Sequence, residues 1–163
     1  MRVFVSGATG FIGRALCLRL QRDGHEVVAW VRDEARARGL LGPDVTLLSM
    51  EGSETALIDA LDACDSVVNL AGAPIVGKRW TKSYQDELVK SRVALTTRLM
   101  AAAKAADSPP RVLVSTSAIG FYGNRGDAWL DEESSVGADF AADLCQRWEQ
   151  AALRGAPEGC RVV

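Results

Sequence analysis

The stretch Ser6-Gly7-Ala8-Thr9-Gly10-Phe11-Ile12-Gly13 limits what this chain can fold into more than any other. It follows directly on the apolar run Val3-Phe4-Val5 and leads into an amphipathic segment, Arg14 to Arg22. A short apolar strand, a glycine turn and a helix in immediate succession must fold back on themselves, the helix lying along the strand. The glycines are spaced G-x-x-G-x-x-G. Lacking a Cβ, they let the backbone turn tightly and approach a pyrophosphate, whose charge is met by the free N–H groups and positive dipole end of the helix. A dinucleotide phosphate cradle is therefore expected, with Gly7, Thr9, Gly10, Phe11, Ile12 and Gly13 as its contacts. The competing reading is a glycine-rich turn with no ligand, and the strand–turn–helix context weighs against it.

The same alternation runs through the rest of the chain. Further strands are predicted at His25–Val31, Val45–Leu48, Ser66–Gly72 and Arg111–Thr116, with a sixth just beginning at Cys160–Val163. Helices are predicted between them: Arg32–Leu41, Thr55–Ala63 with Ser53 as N-cap, Trp80–Ala106 halted by Pro109-Pro110, and Ala138–Leu153 with Asp139 at its start. The residues from Ser117 to Gly137 read as a loop. Strands that are continuous apolar runs and alternate with helices predict an α/β fold, a doubly wound parallel sheet covered on both faces. Ligands are then expected at the carboxyl ends of the strands. Residues 1–163 form one domain, expected to be truncated at its sixth strand.

Charge and cysteine content narrow the function classes. A formal net charge of -2 with scattered Arg and Lys gives no basis for a nucleic acid or anionic membrane partner. No stretch approaches membrane-spanning length, and the first apolar run is too short for a signal peptide. Cys17, Cys64, Cys145 and Cys160 stand far apart, and His25 is the single histidine, so no metal site is expected. The cysteines read as reduced thiols of a cytoplasmic protein, Cys17 and Cys64 packed in the core. The end of the second strand decides the cofactor. An acid there binds a ribose 2′-hydroxyl and favours NAD, whereas an arginine accommodates a 2′-phosphate. Val31 occupies the acid position and Arg32 follows it, which favours NADP, with Arg36 and Arg38 able to add charge. Asp33, one register step away, keeps NAD as the alternative.

Three blocks then carry a resemblance. S-G-A-T-G-F-I-G at the start, N-L-A-G at 69–72 and S-T-S-A-I-G-F-Y-G at 115–123 resemble the extended short-chain dehydrogenase/reductase superfamily, the NAD(P)-dependent epimerases and dehydratases with a Rossmann-like domain. A-G-A-P-I-V-G-K-R-W at 71–80, S-R-V-A-L-T-T-R-L at 91–99 and D-F-A-A-D-L-C-Q-R-W-E at 139–149 are similar to its atypical subfamily, known as epimerase family proteins. Such proteins are considerably longer than this chain and carry a substrate-binding C-terminal part.

The resemblance implies roles for further residues. Glu51, after the third strand, takes the place of an acid that bonds the adenine amino group, or is an ordinary exposed glutamate. Leu70, Ala71 and Gly72 line the cofactor's path, while Asn69 orders the loop backbone. Lys78, Arg79 and Trp80 either face substrate or form a capping loop that anchors the long helix. Ser115 is expected at the cofactor, and Ser117 as the hydroxyl that holds a small-molecule substrate, a sugar nucleotide being one candidate. Superfamily chemistry also needs a tyrosine acid/base with a lysine four residues on, whose charge lowers a phenol pKa that is ordinarily about 10. No Y-x-x-x-K exists here. Two registers compete for those places, Phe140 with Leu144 and Ala141 with Cys145. Tyr122, in the F-Y-G turn, is the one substitute acid the strand-end block offers.

Overall fold

The computed structural model describes residues 1–163. Six strands form a single parallel sheet: β1 (Arg2–Ser6), β2 (Glu26–Val31), β3 (Thr46–Ser49), β4 (Ser66–Asn69), β5 (Val112–Ser115) and β6 (Arg161–Val162). Their order is β3-β2-β1-β4-β5-β6, so the chain starts in the middle, winds outward one way and then the other. The register pairs Phe4 with Val28 on one side and with Val67 on the other. The doubly wound parallel sheet expected from the alternation is the architecture found.

The helices sort by face. One face of the sheet, with Phe4, Trp30, Val67 and Leu113, is packed by α3 (Glu54–Asp62), α5 (Leu95–Ala105) and α6 (Phe140–Gly155) through Leu57, Leu61, Leu99, Met100 and Ala152. The other face, with Val3, Val5, Ala29 and Val31, is packed by α1 (Phe11–Arg22) and α2 (Glu34–Leu41) through Cys17, Ala37 and Leu41. Coverage on both faces, as expected, holds over β1 and β2. On β5 it does not: Leu113 is buried under α5 and α6, whereas Val114, pointing to the other face, is 39% exposed. α1 and α2 pack over the β1–β2 half and leave it uncovered.

Local chemistry explains the element boundaries. α2, α3 and α6 begin at Asp33, Ser53 and Asp139, each accepting a backbone N–H three residues on. The segment expected as one helix from Trp80 to Ala106 differs in two ways. It begins at Lys82 as α4 (Lys82–Val89), because the Thr81 hydroxyl caps it at Tyr84 N. It then widens into a π turn, Lys90–Ala94, before continuing as α5. α1 begins at Phe11, three residues before the expected start, so Phe11, Ile12 and Gly13 belong to its first turn. Within the expected 117–137 loop, Ile119–Tyr122 forms a 3-10 turn.

Candidate functional site

The carboxyl ends of β1, β4 and β5 and the loops beyond them form the candidate site. β1 ends at Ser6 and the chain reverses through Gly7, whose φ is 69°, a conformation glycine adopts without penalty. A Cβ on Gly7 would lie 2.7 Å from the Leu70 carbonyl, and one on Gly13 would lie 2.2 Å from the Gly7 oxygen. Both are backbone obstacles that cannot move aside. Gly7 and Gly13 therefore bring β1, the β4 loop and α1 closer together than any side chain permits. The Gly10 N–H closes the turn on Gly7 O at 2.9 Å.

The start of α1 differs from the other helix starts that follow a loop. Asp33, Ser53, Thr81 and Asp139 cap α2, α3, α4 and α6 with a side-chain oxygen, whereas Gly10 supplies none, and the first turn of α1 holds no acid. Its leading N–H groups are thus left to a ligand or to water. Phe11 is 97% exposed on the rim of this cradle.

Below the cradle a buried polar chain ties the strand ends together. Ser6 Oγ donates to Asn69 Oδ1 at 2.6 Å and accepts from the N–H groups of Leu70 and Ala71. Asn69 Nδ2 donates to Thr96 Oγ1 at 2.8 Å, and the Trp148 indole N–H donates to the same oxygen at 3.0 Å. Ser6, Asn69 and Thr96 are fully buried, so each must find a partner inside the fold. The Asn69 side chain, expected to order the loop backbone, reaches none of it directly; it holds the Ser6 hydroxyl, which accepts the loop N–H groups. Ser115 lies at the end of β5, 3.5 Å from Asn69 Nδ2, and Thr116 Oγ1 donates to Asn69 O.

At the end of β2, Arg32 is exposed and lines a cavity of about 760 Å³ together with Ala73, Pro74, Lys78, Arg79 and Thr81. Three cations and the Glu87 carboxylate thus share one opening. Asp33 is committed elsewhere: its carboxylate caps α2 by accepting from Arg36 N at 2.9 Å. Arg38, one of the two arginines able to add charge beside Arg32, donates to the carbonyls of Gly42, Pro43 and Val45 and closes the end of α2. Glu51 stands exposed in the turn after β3. The Trp80 side chain is held within its own loop and against α6 rather than on the long helix: its indole N–H donates to Ile75 O at 3.0 Å and its ring meets Phe140 edge-on.

The opposite wall comes from α6 and the 3-10 turn. A Cβ added to Gly120 would meet Ala141 Cβ at 3.3 Å and Cys145 Sγ at 3.6 Å. Glu149, one helical turn beyond Cys145, accepts from the Ser117 hydroxyl. Ala141, Cys145 and Glu149 are therefore the face of α6 turned to the strand-end loop, while Leu144 is buried and Phe140 packs on Trp80. That separates the two registers left open by the sequence. Burial, with Glu149 nearby, pushes the Cys145 thiol up, the opposite of what a nucleophile needs. Tyr122 is half-buried, its ring edge-on to Phe121. Glu149 served in the sequence only as a register mark. Its spacing of 32 residues from Ser117 carries no local signal, and only the W-E at the end of its block draws attention to it.

The strand order and a glycine cradle at the first strand define a doubly wound α/β domain of the nucleotide-binding class. More narrowly, the chain belongs to the NAD-dependent epimerase/dehydratase family, whose model matches residues 3–142. A chloroplastic SDR39U1 homolog of Arabidopsis thaliana, an epimerase family protein, is 35% identical over 156 residues, 94% of this chain and 45% of that protein. The human epimerase family protein SDR39U1 (isoform 2), crystallised with NADPH, superposes with a TM-score of 0.74 at 35% identity, over 93% of this chain and 48% of that one. MoeE5, in complex with UDP-glucose and NAD, gives 0.75 at 27% identity, over 99% and 52%. The chain spans about half the length of the curated relatives it matches. No helix is long and apolar enough to cross a membrane.

Proposed function

We propose that this chain is the cofactor-binding part of an NADP(H)-dependent oxidoreductase or epimerase-like protein acting on a small hydroxyl or carbonyl substrate. The carrying observation is the cradle: Gly7 and Gly13 are packed too closely for any side chain, and α1 alone among the loop-started helices leaves its first N–H groups uncapped. Gly7, Thr9, Gly10, Phe11, Ile12 and Gly13 would hold the pyrophosphate, and Leu70, Ala71, Gly72 and Ser115 the passage beyond it. Arg32 would take the 2′-phosphate, since Asp33 is spent on capping α2. The NADPH held by the human relative supports this choice, and NAD remains the alternative through MoeE5. The bound cofactor supplies hydride chemistry. Ser117, oriented by Glu149, would hold the substrate hydroxyl, with Tyr122 the candidate acid. The UDP-glucose in MoeE5 supports a sugar nucleotide as the substrate class. Four unpaired cysteines suit a reducing compartment such as the cytoplasm. The test is titration of the full-length protein with NADPH. A saturable fluorescence change and thermal shift are expected, and a flat response removes the proposal.

One observation favours a second reading, a non-catalytic nucleotide sensor. Ala141 and Cys145 occupy the α6 face turned to the site, where a tyrosine and lysine pair would be needed. Hydride exchange with any sugar nucleotide or ketone would rule the sensor out.

A further inference from the structure

The loop beyond β4 has no secondary structure of its own, yet side chains from one neighbouring segment grip three of its carbonyls in succession. Arg92 Nη2 donates to Ala73 O at 2.9 Å, the Tyr84 hydroxyl donates to Pro74 O, and the Trp80 indole donates to Ile75 O at 3.0 Å. Ala73 is held from both sides, because its N–H donates to Ser91 Oγ at 3.0 Å. Ser91 and Arg92 both lie in the π turn, where the wider winding presents two consecutive side chains to one residue. π turns inside α-helices occur frequently at functional sites.

The Arg92 guanidinium is fixed from further directions. It lies over the Trp148 ring, 5.3 Å from its centroid, which connects it to the Asn69–Thr96 chain. It also lies against Gly72, where an added Cβ would come within 3.0 Å of Cζ. Gly72 thus has a reason to be glycine that involves no ligand: a side chain there would push the guanidinium off Ala73. Burial pulls the Arg92 pKa below its ordinary value, so the fold holds a cation here against its desolvation.

We propose that Arg92 and Ser91 are positioning residues for the dinucleotide: by clamping both backbone groups of Ala73 they hold loop 70–74 in the shape against which the cofactor lies. This rests on the cofactor reading above. The clamp acts on the loop backbone rather than on a 2′-phosphate, so it serves NADPH and NADH alike.

The test uses the full-length protein and measures NADPH and NADH affinity together with hydrogen–deuterium exchange. Arg92→Met is expected to weaken both nucleotides by about tenfold, the loss of one charge-assisted bond. Exchange should rise in 70–74 while β1 and β4 stay protected. Ser91→Ala should act in the same direction by about threefold, as a neutral bond does, and Arg92→Lys should recover part of the loss. Should Arg92→Met fail to fold, Ser91→Ala and Arg92→Lys still decide the matter. Affinities within twofold of wild type, or exchange rising evenly across the sheet, would overturn the positioning role. Wild-type protein that binds neither nucleotide would refute the cofactor reading and this role with it.

Discussion

The two strand ends that flank β4 at the site are built to opposite plans. At β1 the chain passes through four residues into α1, whose first turn has neither a capping side chain nor an acid. At β5 it passes through a long loop into α6, whose start is closed by the Asp139 carboxylate on Ala142 N at 2.9 Å. One helix start is left open and the other is completed from within. An open start forgoes roughly 1 kcal/mol of capping stability, which an anionic ligand restores when it binds. The difference separates the part of the site that waits for a charged partner from the part that is already satisfied.

Five experiments break or sharpen that contrast. Gly13→Val should have the largest effect, because its Cβ would lie 2.2 Å from Gly7 O; an overpacked core position costs about 3 kcal/mol or more, read as a fall in melting temperature with loss of NADPH binding. Gly10→Asp would install at α1 the cap that α6 possesses. NADPH affinity should fall by about a hundredfold, as a fixed carboxylate takes the N–H groups and repels the pyrophosphate, while the fold is retained. Wild-type binding by this variant would break the comparison. Arg32→Ala should weaken NADPH by about tenfold and leave NADH unchanged, measured by parallel titrations. Asp139→Ala should cost about 1 kcal/mol of stability in denaturant unfolding, without altering nucleotide affinity.

The smallest effect concerns pH. Burial raises the Cys17 thiol, on α1, from 9.0 to about 11, and burial likewise raises Cys64 to about 11. The folded state keeps these protons after the unfolded chain has released them, so stability is full below pH 9.0 and declines as pH rises toward about 11. Cys17→Ala should flatten that decline in pH-dependent unfolding; an unchanged slope would show that the α1 thiol does not contribute.

The two plans were unequally legible in the sequence. The cradle is local: Val3 to Gly13 contains the strand, the turn and the helix start, so neighbouring residues carry the whole signal. The α6 wall is not local. Ser117 meets Glu149, and Gly120 meets Cys145, across a long loop whose path nothing in the composition sets. The resemblance could be aligned on Phe140 or on Glu149, which left Phe140–Leu144 and Ala141–Cys145 as competing registers until the contacts of α6 were known. The π turn escaped for another reason, since Lys90 to Ala94 reads as ordinary helix and the extra residue is set by what Ser91 and Arg92 reach. The third strand was legible to within a residue, but the role of Arg38 was left open, because its bonds to Gly42, Pro43 and Val45 depend on how the turn after α2 closes.

The central place of β1 has a consequence for the order in which the molecule can form. On a ribosome β1 is made before both of the strands that pair with its two edges. β2 reaches it after a short delay, but its other edge stays bare until Ser66 to Asn69 have been synthesised, and the Ser6–Asn69 bond spans 63 residues. Pairings this distant in sequence form late, and an unpaired edge invites the wrong partner in the meantime. The cradle beside Gly7 thus leaves the ribosome well before the strand that completes it, because its packing against Leu70 awaits the end of β4.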